Sequence, residues 1–108
     1  MAIHVVAILT PKSDRVNEVL DAFAEVSPLV HDEPGCEIYA AHTDGHVVIM
    51  IEQWTTRSDL DAHAVGAPLA RLIELTSDVL EHPYDVWILD AVPLGDAIKG
   101  VVDAGTTP

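Results

Sequence analysis

Two side chains near the middle of the chain have the chemistry needed for proton transfer, His63 and Glu52. An ordinary histidine gains or loses a proton near neutral pH, so His63 suits the role of a general base. Glu52 directly follows the apolar run 48–51, and burial beside that run would raise the pKa of its carboxyl group. These two residues are therefore the candidates for acid–base catalysis.

Each of the two candidates also has a structural interpretation. His63 lies on a predicted short helix, where it could cap carbonyl groups or bond the region of Glu52. Glu52 could form a hydrogen bond or an ion pair near the end of its strand, with Arg57 as one partner. The sequence alone leaves both interpretations open.

The other histidines and the single cysteine do not form a metal-binding set. His42 and His46 flank a predicted hairpin turn, without helical spacing and without a Cys/His cluster nearby. Cys36 begins an apolar strand after a glycine, so packing as a small hydrophobic residue is its expected role. No Gly-x-Gly-x-x-Gly pattern follows a strand, which agrees with the absence of a flavin or nicotinamide. We predict no metal and no cofactor.

The amino-acid composition of the chain argues against some classes of binding partner. The 108 residues fit one domain, and 49% are hydrophobic, which is enough for a core. The net charge is −13 with only five Lys and Arg residues, which argues against nucleic acid or an anionic membrane as partner. One cysteine suits a reducing cytoplasm, and we see neither a signal peptide nor an apolar run of membrane-spanning length.

Hydrophobic spacing predicts four strands and three helices. The Asp44-Gly45 pair is a strong signal for a two-residue hairpin, which would place Thr43 opposite His46 and leave Trp54 beyond the start of the second strand. The predicted strands are 3–10, 36–43, 46–54 and 85–92. The predicted helices begin near Thr10-Pro11 and end or kink at Pro28, and then span 58–64 and 68–81.

This order is β-α-β-β-α-β in outline, which predicts an α+β, ferredoxin-like domain with one antiparallel sheet over residues 1–92 and a tail over 93–108. The third and fourth strands are apolar on consecutive positions, so both faces of the sheet need cover. One chain has helices for one face only. The sequence therefore predicts a homodimer in which a second copy covers the other face.

Three segments in order, EPGCEIY, IEQW and SDLDAHAVGAPLARL, resemble the antibiotic biosynthesis monooxygenase family of dimeric α/β-barrel proteins. The resemblance covers roughly residues 3–92. It implies a homodimer whose sheets face each other and a small apolar pocket between the sheet and the helices of each subunit. Members of the family include cofactor-free monooxygenases of quinols, anthrones and related aromatics, and His63 matches the histidine of the family's Ala-His pair.

A reaction of this kind needs a base, an apolar pocket and dipoles that stabilise the substrate anion. The resemblance implies that a small apolar aromatic ligand binds between the sheet and the helices. The predicted substrate contacts are Tyr39, Trp54, Leu69, Leu72 and Trp87. Packing in the core or the dimer interface is the alternative for each aromatic residue.

Two other functions remain open from the sequence. Some relatives degrade haem with a histidine on the last helix as iron ligand, together with Asn and Trp, but segment 68–81 has no histidine and the only asparagine is Asn17. A dimeric barrel that binds a small ligand without catalysis, or has a role in stress, is also compatible with the sequence.

Overall fold

The computed structural model describes residues 2–103, which form one four-stranded antiparallel sheet with three helices on one face. The sheet order is β2-β3-β1-β4, and the α+β, ferredoxin-like prediction is confirmed. The elements are β1 Ile3–Leu9, α1 Val16–His31, β2 Cys36–Thr43, β3 Val48–Trp54, α2 Arg57–Ala64, α3 Ala67–Thr76 and β4 Asp85–Asp90.

The core lies between the helices and one face of the sheet. Side chains alternate along a strand, and the register pairs Val5 with Glu52 and Ala7 with Met50, so these positions share the helix-covered face. Helix α1 packs on this face through residues spaced three or four apart, which is the period of a helix with one apolar side. The buried residues of α1 are Val19, Ala22, Phe23, Val26 and Val30.

The opposite face of the sheet, here called the outer face, is also largely apolar. Its side chains come from the alternate strand positions, and the large apolar ones are only partly covered in the single chain. Its large apolar residues are Val6, Ile8, Ile38, Ile49, Ile51, Trp87 and Leu89.

Helices α1 and α3 are both shorter than predicted at the ends that face each other. Lys12 donates its backbone N–H to the Val79 carbonyl at 2.8 Å, and Glu81 donates to the Thr10 carbonyl at 2.9 Å. This pairing uses the backbone groups of both segments, so α1 begins at Val16 rather than near Thr10. For the same reason α3 ends before residues 79–81.

Helix α1 does not end at Pro28 but continues to His31. A proline inside a helix removes the hydrogen bond to the carbonyl four residues earlier, which here is Ala24. Ala24 is exposed, so water can bond that carbonyl at little cost.

The hairpin prediction was wrong in its length and its register. Thr43 pairs with Val48, so the connection has four residues rather than two. Asp44 explains the difference, because its side chain accepts hydrogen bonds from the backbone N–H groups of His46 and Val47 at 2.8 and 3.0 Å. The longer loop and a bulge after Cys36 bring Cys36 opposite Trp54, so β2 does reach Trp54.

The segment after β4 contains no regular helix or strand within residues 91–103. It folds back over one end of the outer face, where the Val102 carbonyl accepts a hydrogen bond from His4 Nε2 at 2.9 Å. The boundary at residue 92 stays a prediction, and the end of the predicted tail, residues 104–108, lies outside the described residues. No helix within residues 2–103 is long and apolar enough to cross a membrane.

Candidate active site

A cavity of about 230 Å³ lies between the covered face of the sheet and the three helices. This is smaller than the usual range for drug-sized ligands, about 300–1,000 Å³, so the space suits one compact molecule. Its walls are mostly apolar and come from all four strands as well as the helices. The apolar lining residues are Val5, Ala7, Leu9, Phe23, Met50, Leu60, Ala64, Leu69, Leu72, Val86 and Ile88.

His63 is the buried basic group of this cavity. Helix α2 starts at a Thr56 cap, whose hydroxyl oxygen accepts the Asp59 backbone N–H, and the helix period then directs Leu60 and His63 inward. The imidazole is only 6% exposed, and its Nδ1 lies 2.7 Å from Oε1 of Glu33. A carboxylate oxygen accepts a hydrogen bond, so Nδ1 carries the hydrogen and Nε2 is the basic nitrogen.

Glu52 is the acidic group. It projects from β3 onto the covered face and is buried, and its Oε1 accepts a hydrogen bond from Trp54 Nε1 at 3.0 Å. Burial raises the pKa of the Glu52 carboxyl group, while the Trp54 bond and the charge of His63 oppose that rise less strongly. The predicted alternative of an ion pair with Arg57 was wrong, because Arg57 bonds Asp61 one turn along α2. This exposed pair also lines the cavity.

Two aromatic residues surround the imidazole. The ring of Tyr39 lies with its centroid 5.8 Å from that of His63, and burial raises the pKa of the Tyr39 phenol, so the hydroxyl keeps its proton. The indole of Trp54 lies 4.5 Å from the imidazole at an angle of 31°. Trp54 is fully buried and contacts both His63 and Glu52, so it holds the two acid–base candidates in one place.

The structure brings five of the seven predicted site residues into the cavity wall: Tyr39, Glu52, His63, Leu69 and Leu72. Trp54 is absent from the wall because it packs behind the imidazole.

Trp87 does not belong to the site. Its neighbours Val86 and Ile88 line the cavity, so the alternation of side chains on β4 directs Trp87 to the outer face, where it is 47% exposed. All four residues 86–89 are apolar. Because polar and apolar residues do not alternate in this run, the sequence cannot show which side chains point to the core and which point to the outer face.

Sequence reasoning missed Glu33 and Tyr84 as members of the site. Glu33 lies thirty positions before His63, in a turn that no local pattern marks as close to the helix. Tyr84 stands just before β4 and lines the cavity, and burial raises the pKa of its phenol. Phe23 lies on the buried side of α1, and the packing of α1 on the sheet brings it to the cavity wall.

Glu52→Gln should stabilise the protein more at pH 8 than at pH 4. The raised pKa means that the folded state favours the protonated form of Glu52, so its contribution to stability is full at low pH and is lost as pH rises through that pKa. Glutamine stays neutral and can still accept the Trp54 bond. The melting temperature of the variant minus that of wild type, measured from pH 4 to 8, should increase with pH.

Glu81→Gln, at an exposed position, is the matched control for the loss of one negative charge. If the difference in melting temperature between Glu52→Gln and wild type does not change with pH, that result would contradict a raised pKa of Glu52.

The remaining reactive side chains do not add a second centre. Burial is the main cause that raises the pKa of the Cys36 thiol to about 11, with nearby carboxylates adding to it, so the thiol is protonated and weakly nucleophilic at neutral pH. His42 and His46 are exposed at the hairpin. Within residues 2–103, no three His, Cys, Asp or Glu side chains lie close enough together to hold a metal ion.

Known structures share this architecture. A solved antibiotic biosynthesis monooxygenase is 28% identical, with a TM-score of 0.76 over 84% of this chain and 99% of its own. A conserved protein from Methanosarcina mazei Go1 is 24% identical, with a TM-score of 0.77 over 82% of this chain and 91% of its own. A protein from Mycobacterium tuberculosis is 22% identical, with a TM-score of 0.76 over 90% of this chain and 99% of its own. The last two likenesses concern the fold alone.

A comparison with curated proteins gives no match. The sequence profile described as antibiotic biosynthesis monooxygenase matches residues 2–73, which is more than half of the chain and includes His63, Glu52 and most of the cavity wall. The chain therefore belongs to the antibiotic biosynthesis monooxygenase family.

Proposed function

We propose that this protein is a cofactor-independent monooxygenase that oxidises a small quinol or hydroxylated aromatic with O2. The observation that carries the proposal is the pairing, in one small apolar cavity, of the buried histidine His63 with the buried carboxyl group Glu52. Membership of the family makes monooxygenation the first reaction to consider, and the two groups supply the proton transfers that this reaction needs.

The first step is removal of a proton from a substrate hydroxyl group. Nε2 of His63 takes that proton, and the oxyanion that remains shares its charge with the aromatic ring. The mostly apolar walls hydrate the anion less than bulk water would, so its electrons are more readily given up. Leu69 and Leu72 would contact the flat faces or edges of the substrate from α3.

Oxygen then reacts with the anion. An electron passes from the anion to O2, and the substrate radical and superoxide combine to form a bond between a ring carbon and one oxygen atom. The peroxide anion takes up the proton held by His63. Loss of the hydrogen on the same carbon, with cleavage of the O–O bond, leaves a new carbonyl group and releases water. O2 is the oxidant, and all the electrons that it gains come from the substrate.

Glu52 and Tyr39 supply hydrogen-bond donors in this scheme. Burial raises the pKa of both groups, which favours the protonated forms that can donate an O–H to negative charge on the substrate oxygen or on the peroxide. A protonated Glu52 can also give its proton to the departing hydroxide. His63 and Glu52 thus act in opposite directions, one as base and the other as acid.

The active form proposed here is a homodimer. The partly exposed side chains of the outer face, including Ile49 and Trp87, form an apolar surface of the kind that marks an interface. A second copy of the chain, related by two-fold symmetry, would cover this face. A cytoplasmic location belongs to the same proposal, since a single cysteine needs no oxidising compartment.

Oxygen uptake tests the proposed function. The purified protein, in a buffer that contains a metal chelator, would be mixed with hydroquinones of one and two rings and with a three-ring anthrone. We expect catalysed uptake with at least one of the smaller compounds, because the cavity is compact. If none is oxidised but one binds, the protein is a ligand-binding member of the family without this activity. Haem addition followed by absorbance in the Soret region separates the haem-degrading alternative.

A further inference from the structure

We infer that Glu33 is the positioning residue of His63. Its carboxylate fixes the imidazole in the tautomer whose Nε2 is the base. The turn that contains Glu33 packs against α2, the helix that carries the imidazole. This inference rests on the proposed role of His63. Glu33 begins the segment EPGCEIY, but the sequence did not indicate its contact with His63, and its side chain does not line the cavity.

The contact between the two side chains is short and sheltered. Oε1 of Glu33 lies 2.7 Å from Nδ1 of His63, and the two side chains are 17% and 6% exposed. Little water competes for this hydrogen bond, so it constrains both the rotation of the ring and the site of its hydrogen. A neutral imidazole has one N–H, and holding that hydrogen on Nδ1 leaves the lone pair on Nε2.

The backbone around Glu33 is shaped to receive α2. The turn over residues 33–36, here called the Glu33 turn, includes Gly35 at φ +78°, a conformation that favours glycine. A Cβ atom at Gly35 would lie 2.2 Å from Oδ2 of Asp59, in the first turn of α2. The Gly35 carbonyl also accepts the backbone N–H of Thr55 at 2.9 Å. The turn therefore contacts the beginning of α2 closely.

The end of α2 meets the same turn. A Cβ atom at Gly66, just after the helix, would lie 2.9 Å from Oε2 of Glu33. One carboxylate oxygen of Glu33 thus bonds His63, and the other is packed against the residue where the chain leaves α2 for α3. With both ends of α2 held by the Glu33 turn, the imidazole has a fixed place in the cavity wall.

The charge of Glu33 also suits the reaction. When Nε2 takes a proton from the substrate, the ring becomes positive, and a carboxylate at Nδ1 stabilises that positive charge. The other titratable groups that line the cavity are Tyr39 and Glu52 from the sheet, Tyr84 from the segment before β4, and the exposed Arg57–Asp61 pair of α2. Burial raises the pKa of Tyr39, Glu52 and Tyr84, which favours the neutral form of each.

Glu33→Gln tests the inference on the full-length protein. The amide can turn either its oxygen or its NH2 group toward Nδ1, so the ring should lose its single preferred form. Nitrogen NMR of the histidine side chains, at a pH where His63 is neutral, should show the hydrogen on Nδ1 in wild type and a mixture in the variant. This measurement needs no substrate. Asp32→Asn removes a neighbouring exposed charge and is the matched control.

Activity provides the second readout. We expect Glu33→Gln to lower kcat by about 10–100-fold, the usual cost of losing the residue that orients a functional histidine, with KM nearly unchanged. Glu33→Leu, which has no polar atom, should lower kcat at least as much. If Glu33→Gln disturbs the fold, circular dichroism will reveal it and Glu33→Leu carries the test.

Two results would overturn the inference. One is a His63 spectrum in Glu33→Gln that matches wild type, and the other is a loss of stability with no change in kcat or in the ring nitrogens. If the spectrum changes as expected while wild type oxidises no quinol, Glu33 positions His63 and the proposed function is wrong. The NMR result therefore separates failure of this inference from failure of the function.

Discussion

His63→Gln should slow oxidation of the substrate by about 10²–10⁴-fold at neutral pH, which is the usual cost of losing a general base. Glutamine is close to histidine in size and can donate its amide N–H to Glu33, so the fold and the cavity should persist. It cannot take up a proton at neutral pH, so the substrate hydroxyl must lose its proton to water. The comparison is kcat at neutral pH, with melting temperature as the check on folding.

The pH dependence of the rate and a second histidine variant serve as controls for this test. The deficit of His63→Gln should shrink as pH rises, because the substrate then ionises without a base. His46→Gln, in the exposed hairpin loop, should behave like wild type. Full activity of His63→Gln at neutral pH would show that His63 is not the base and would favour Glu52 or the solvent. Loss of the fold would show instead that His63 has a structural role.

Ile49→Asp should convert a dimer into folded monomers. Ile49 lies on the outer face, opposite Ile8 and His42 on the two neighbouring strands, and an aspartate there would carry its charge into the proposed interface. Removing an ion from water costs several kcal/mol, which corresponds to a rise in Kd of roughly a hundredfold or more. Analytical ultracentrifugation at micromolar concentration measures the change, and circular dichroism should still show helix and sheet.

Met50→Asp is the matched variant on the other face. Met50 is fully buried between the sheet and the helices, so a charge there should unfold the protein rather than dissociate it. The sequence did not reveal which of these two neighbours faces the partner, and the register now separates them. A wild-type monomer at micromolar concentration, or an Ile49→Asp variant that stays dimeric, would contradict the proposed assembly.

The order of elements was predictable because most segments carry a local signal. Proline favours the first turn of a helix and threonine favours an N-cap, and the structure has Pro68 in the first turn of α3 and Thr56 as the cap of α2. The ends of α1 and α3 were predicted less well, because the pairing of Thr10 and Lys12 with residues 79–81 joins segments far apart in the sequence. The hairpin length depended on side-chain hydrogen bonds of Asp44, which the Asp-Gly pair alone does not reveal.

The site was predictable where a residue's face could be read from its neighbours. Glu52 and Trp54 are two positions apart on a strand, so their shared face followed from alternation, and the structure adds the hydrogen bond between them. Trp87 lies in a run that is apolar at every position, so its face was undetermined. The contact between Glu33 and His63 could not be predicted from the sequence, because it depends on how α2 packs against the turn before β2.

Isotopically labelled dioxygen tests the central claim most directly. The protein would be supplied with a hydroquinone that it oxidises, labelled O2 and unlabelled water, and the products would be examined by mass spectrometry. A cofactor-independent monooxygenase should place one labelled oxygen atom in the aromatic product and the other in water, with no added metal or flavin. A product without label, formed together with labelled hydrogen peroxide, would show simple oxidation of the quinol and would contradict the proposed function.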